Sequence, residues 1–179
     1  RPAERREDGW WLTGRPDPER DAVEAERLVG RCDGIEVDGL TFSLAHVWRG
    51  EAILRISGGA DERVTDTDSF FRAWHPVLRP QPLVPEAERT ALACEQWARE
   101  VMRRLEGERF PVITLKWFGR PRRVPTFLER HGVSGAFAAD SAFLRGLGLA
   151  FGLEPVEAPE TDDPVGDQRG DVGTPDRCR

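Results

Sequence analysis

Residues 110–119, Phe-Pro-Val-Ile-Thr-Leu-Lys-Trp-Phe-Gly, constrain the fold more than any other stretch. The run is dense in β-branched and aromatic side chains and is bounded by Pro111 and Gly119, which predicts a strand. Alternation sets Ile113, Leu115 and Trp117 on one face and Val112, Thr114, Lys116 and Phe118 on the other. A strand apolar on one face and mostly apolar on the other suits the middle of a covered sheet. Before it, Ala91, Cys94, Ala98, Val101, Met102 and Leu105 form an apolar stripe at helical spacing over residues 86–106, closed by Gly107. A second helical pattern follows, so this half of the chain reads helix, strand, helix.

The first half reads differently. Asp17 with Pro18 starts a helix whose face holds Ala22, Ala25, Leu28 and Val29. Ile35–Val37, an Asp38-Gly39 turn, an alternating run over 40–48 and a return strand over 52–56 predict an antiparallel meander. Val64 opens a possible third strand, and residues 67–74 a short helix carrying Phe70, Phe71 and Trp74. Four prolines then stiffen residues 76–85. Near the end, residues 125–131 read as a helix, 133–138 as a last strand, and Asp140 or Ser141 as the cap of a final helix carrying Phe143, Leu144, Leu147 and Phe151. The expected fold is α/β: a single domain over residues 9–153 with a mixed sheet, an antiparallel meander followed by helix-strand-helix, and helices packed on the sheet. Residues 1–8 and the acidic tail 154–179 bury too little to order themselves.

Charge is unevenly spread. The net charge is −6, and residues 154–179 alone carry −5. The basic residues are 25 Arg and one Lys, a bias of nucleotide composition before it is one of chemistry. Cys32, Cys94 and Cys178 are too few and too widely spaced for a disulfide framework or zinc site, which places the chain in a reducing, cytoplasmic compartment. Cys94 reads as a core residue and Cys178 as an exposed thiol. No apolar run approaches the roughly 18–20 residues that span a bilayer, and no signal-peptide pattern is present.

Three histidines, His46, His75 and His131, stand without a second ligand at metal spacing, and read as surface or core residues. Asp61, Glu62, Asp66 and Asp68 crowd one loop but lack the spacing of a calcium loop. No phosphate loop, catalytic triad or paired-carboxylate motif appears, so no cofactor, metal or catalytic residue is assigned. The most localised feature is basic: residues 109–130 carry +5. Arg120, Arg122 and Arg123 follow the strand, where open α/β sheets bind ligands, and with Lys116 and Arg130 they form the candidate binding set.

The pieces Ala45-His46-Val47 with the run over 52–59, the alanine-rich helix over 87–105, and Pro111-Val112-Ile113 resemble the nuclease-related domain, a relative of restriction-endonuclease-like folds. The resemblance implies an Asp before a strand and a carboxylate-x-Lys within it. Ala45 and Arg55-Ile56-Ser57 stand at those places, so it implies a catalytically degenerate copy. The expected function is therefore a non-catalytic interaction domain of a soluble bacterial protein, its arginine loop meeting an acidic protein surface or a nucleic acid; the alternative is a metal-dependent nuclease.

Overall fold

The computed structural model describes residues 1–69, 74–139 and 141–157. Helices and small sheets make the α/β domain that the pattern predicts, and it parts into two compact units, Arg1–Arg123 and Val124–Arg179. Among the described residues the strands distribute over three small sheets rather than one mixed sheet.

In the first unit, β3 (Ile35–Val37), β4 (Leu40–Trp48) and β5 (Glu51–Ser57) form the expected antiparallel meander, with Phe42 opposite both Ile35 and Ile56. Asp38 and Gly39 both have positive φ, 48° and 70°, as a two-residue turn of the mirror-image type requires. At the other end of β5, Gly58 has φ +98°, and a Cβ there would collide with the carbonyl oxygen of Gly39. Alternation along β4 buries Leu40, Phe42 and Leu44 and turns Ser43 and Ala45 to solvent. Helix α1 (Ala22–Arg31) packs on β4 through Leu28 and Val29. Helix α2 (Glu88–Arg104) contributes Ala93, Cys94, Trp97 and Val101 to the same core. Trp97 stacks on Phe42 with ring centroids 5.5 Å apart.

The N-terminal residues, expected to be unstructured, form a hairpin of β1 (Ala3–Arg6) and β2 (Gly9–Leu12), and β2 pairs with β6 (His75–Pro76). Two attractions offset the charge of the segment. Leu12 is fully buried, and the Arg6 guanidinium lies 5.0 Å from the ring centroids of both Trp11 and Trp74. The third strand expected at Val64 is a single bridge to Pro82. The helix expected over 67–74 falls largely on residues 70–73, outside the described residues.

Residues 110–119, read from sequence as the central strand, are the main correction. They are buried at Phe110, Val112 and Leu115, but form no strand among the described residues. Burial does not alternate, since Phe110, Pro111 and Val112 are buried in succession, and Trp117 adopts φ +61° with 63% of its surface exposed. β-branched composition has bought burial here, while the backbone partners come from a loop. Thr67 N and Asp68 N both donate to the Leu115 carbonyl (2.8 and 3.1 Å), and Leu115 N donates to Thr67 Oγ1 (2.8 Å). Asp66 accepts from Trp117 N (2.8 Å), and Asp68 from Thr114 Oγ1 (2.9 Å).

In the second unit, α3 (Phe127–His131) begins at a reciprocal cap between Thr126 and Glu129 and ends at Gly132 with φ 72°. Helix α4 (Ala142–Ala150) is capped by Ser141, which accepts from Leu144 N. β7 (Ala136–Phe137) runs parallel to β8 (Glu154–Pro155), so the first residues of the expected tail are paired. The rest of that tail lies outside the described residues. Phe143, Leu144, Leu147 and Phe151, the apolar residues of the expected final helix, are 38–64% exposed. Among the described residues, no helix is long and apolar enough to cross a membrane.

Candidate functional site

The basic run and the acidic loop, separate features in the sequence, are partners in the structure. Arg120 donates to the Ala60 carbonyl (2.7 Å) and pairs through Nε with Glu62; Arg122 reaches the same carboxylate at 3.2 Å. Lys116 Nζ bonds Glu51 Oε1 at 2.8 Å and lies 4.4 Å from the centroid of the Trp117 ring. Arg109 bonds Asp21, distant in sequence, at 2.8 Å. The charge of +5 counted along the sequence is thus largely met by carboxylates from elsewhere. Arg123 ends the first unit, and Arg130 stands in the last turn of α3 in the second. The five candidate residues therefore divide between two units, with Lys116, Arg120, Arg122 and Arg123 in one.

The acidic loop has its own electrostatics. The Arg63 guanidinium and backbone N–H hold Asp61 well below the usual carboxylate range. Asp66 and Asp68 are engaged by the 110–119 segment described above, and Asp68 also pairs with Arg1 (3.3 Å). Among the described residues, no group of three or more His, Cys, Asp or Glu side chains converges as a metal would need. The signal sequence reasoning missed is complementarity: an acidic stretch at 61–68 and a basic one at 116–123, some 50 residues apart, suggest an intramolecular pair.

Each described histidine has a local occupation. His46 Nε2 donates to the Arg49 carbonyl (2.7 Å), His75 Nδ1 to the Pro76 carbonyl (2.7 Å), and His131 packs on Phe127 at 4.6 Å. Cys32 and Cys94 are buried and unbridged; burial pushes the Cys94 thiol up to about 12 and Cys32 upward. Cys178 lies outside the described residues. Asp21 is a buried carboxylate that sequence reading passed over. The Arg20 guanidinium holds it down at about 2 against the effect of burial, with the Asp17 N–H and Arg109 adding to this. It ties the start of α1 to the start of that segment, a structural task.

No protein-family model matches the sequence. Similarity is to the 2,3-bisphosphoglycerate-independent phosphoglycerate mutases of Methanoculleus marisnigri (27% identity over 79% of this chain and 41% of that protein) and Methanosphaerula palustris (32% over 75% and 38%). A shorter match, 38% identical over half of this chain, is to a tRNA dimethylallyltransferase of Methylobacterium sp., of which 29% is covered. Among solved structures, the cofactor-independent phosphoglycerate mutase of Thermoplasma acidophilum superposes with a TM-score of 0.57 at 20% identity, covering 88% of this chain and 46% of that one. The chain spans about two fifths of the length of the mutases it matches.

These findings overturn the nuclease-related resemblance. That likeness rested on an order of helix, meander and helix, with the diagnostic carboxylates missing at Ala45 and at Arg55-Ile56-Ser57. They also overturn the expected function, in both forms, since the matches that run along three quarters or more of the chain are to mutases. The likeness is to enzymes.

Proposed function

We propose that this chain is an enzyme domain of the phosphoglycerate-mutase kind, acting on phosphoglycerate as part of a larger catalytic assembly. The observation that supports this reading is agreement between sequence and fold: mutases match along three quarters or more of the chain, and a mutase supplies the structural neighbour. The chemistry is compatible. Phosphoglycerate carries a phosphate and a carboxylate, and planar arginine forks suit both. Lys116, Arg120, Arg122 and Arg123 are the cations of the first unit offered to it.

The test is replacement. The segment of the Methanoculleus marisnigri mutase that matches this chain is exchanged for residues 1–179, and conversion of 3-phosphoglycerate to 2-phosphoglycerate is followed by phosphorus NMR. Conversion above a protein with the segment deleted is expected. A folded, monodisperse replacement protein that leaves the substrate unchanged would remove the reading.

A further inference from the structure

Several carboxylates in the first unit are each shared by two guanidinium groups, Asp21, Glu95, Glu100 and Glu108 among them, which is how a bound oxyanion is usually held. Glu62 is the one met by two arginines of the basic run: its side chain is 23% exposed and is met by Arg120 Nε and, at 3.2 Å, by Arg122. The two arginines are held differently. Arg120 has a second anchor on the Ala60 carbonyl, 2.7 Å away, so it keeps its place without Glu62. The Arg122 side chain is 80% exposed and, among the described residues, bonds only at the longer distance, so it can turn toward a ligand at little cost. Three residues upstream, Trp117 is held at φ +61° by the bond from its N–H to Asp66, with 63% of its surface exposed and Lys116 over its ring. A bulky side chain in the left-handed region is strained, and this one recovers little of that strain by burial. An arginine pair of this kind suits a small anionic ligand bearing a phosphate or carboxylate.

We propose that Arg120 and Arg122 form an oxyanion site closed by the chain's own Glu62, and that a phosphate- or carboxylate-bearing hydroxy acid opens it by displacing that side chain. The inference deepens the mutase reading and rests on it for the identity of the ligand. Glu62 would then set the affinity as an internal competitor: the ligand binds only where Glu62 has let go.

The experiment is an NMR titration of the intact chain with 3-phosphoglycerate, glycerate and inorganic phosphate, on the wild type, Glu62→Gln and Arg122→Ala. Glu62→Gln keeps the shape of the side chain and removes its charge. It is expected to bind 3-phosphoglycerate about fivefold more tightly than the wild type, an increment of the size of one or two exposed ion pairs. Arg122→Ala, at a side chain so exposed that the fold does not depend on it, is expected to weaken binding by about the same factor. Adding Arg120→Ala and Arg122→Ala to Glu62→Gln should erase the gain. Glycerate and inorganic phosphate show which oxyanion occupies the site. Equal or weaker binding by Glu62→Gln, or a gain that survives loss of both arginines, would overturn the proposal. An unresponsive Glu62 beside an active replacement enzyme would remove the latch alone. A responsive Glu62 beside an inactive replacement would keep the site and remove the mutase reading.

Discussion

Thr67→Val tests the claim that a loop, rather than a neighbouring strand, fixes the 110–119 segment. Thr67 is 6% exposed, and its Oγ1 accepts from the buried Leu115 N–H at 2.8 Å, while Thr67 N returns a bond to the Leu115 carbonyl. Valine keeps the shape and removes the acceptor, so the Leu115 N–H is left buried and unpaired. An unpaired buried donor costs about 1–3 kcal/mol. Thr67→Ser keeps the acceptor and loses one methyl, about 0.8 kcal/mol by transfer. Urea unfolding followed through Trp97 should therefore rank wild type, then serine, then valine. Amide exchange at Leu115 reports the same loss locally, and should quicken roughly ten- to a hundredfold in Thr67→Val. Unchanged exchange at Leu115, with valine as stable as wild type, would refute the clamp and return the segment to an unseen strand partner.

Three further outcomes follow from the same structure. Trp97 is fully buried with its indole N–H unpartnered among the described residues, so Trp97→Phe should cost less than about 2 kcal/mol where Trp97→Ala costs about 3–5 by denaturant titration. Asp21 and Glu100 are both held at about 2, below their ordinary values of 3.8 and 4.5. Because the folded values are the depressed ones, their stabilisation is present above the ordinary values and is lost as pH falls toward 2; urea midpoints should drop across that window, and less so in Asp21→Asn. Cys32 and Cys94, buried and shifted upward, should resist a thiol reagent at pH 8 until the chain unfolds, as absorbance would record.

Much of the first unit was legible in the sequence. The Asp38-Gly39 turn fixes the register of the β3–β4 hairpin, the alternation of Leu40, Phe42 and Leu44 chooses its buried face, and the stripe on α2 finds the core. These signals are local, with periods of 2 and 3.6 residues. The 110–119 segment was misread because composition reports burial but not the partner, and its partner is the Thr67 hydroxyl rather than a strand. The basic patch was misread for a related reason. A sum along the chain cannot see Glu62 and Glu51 folding back on Arg120, Arg122 and Lys116 from some 60 residues away. In the second unit, helical spacing placed α4 correctly, but periodicity says which residues share a face and nothing of what covers it, and its apolar residues stand exposed.

The most direct measurement is calorimetric titration of the intact chain with 3-phosphoglycerate. The account predicts saturable binding at millimolar concentration or tighter, weakening as salt is raised because charged forks hold the ligand. An absence of saturable heat, in a sample whose core is folded by near-ultraviolet circular dichroism, would contradict the assignment of this chain to phosphoglycerate chemistry.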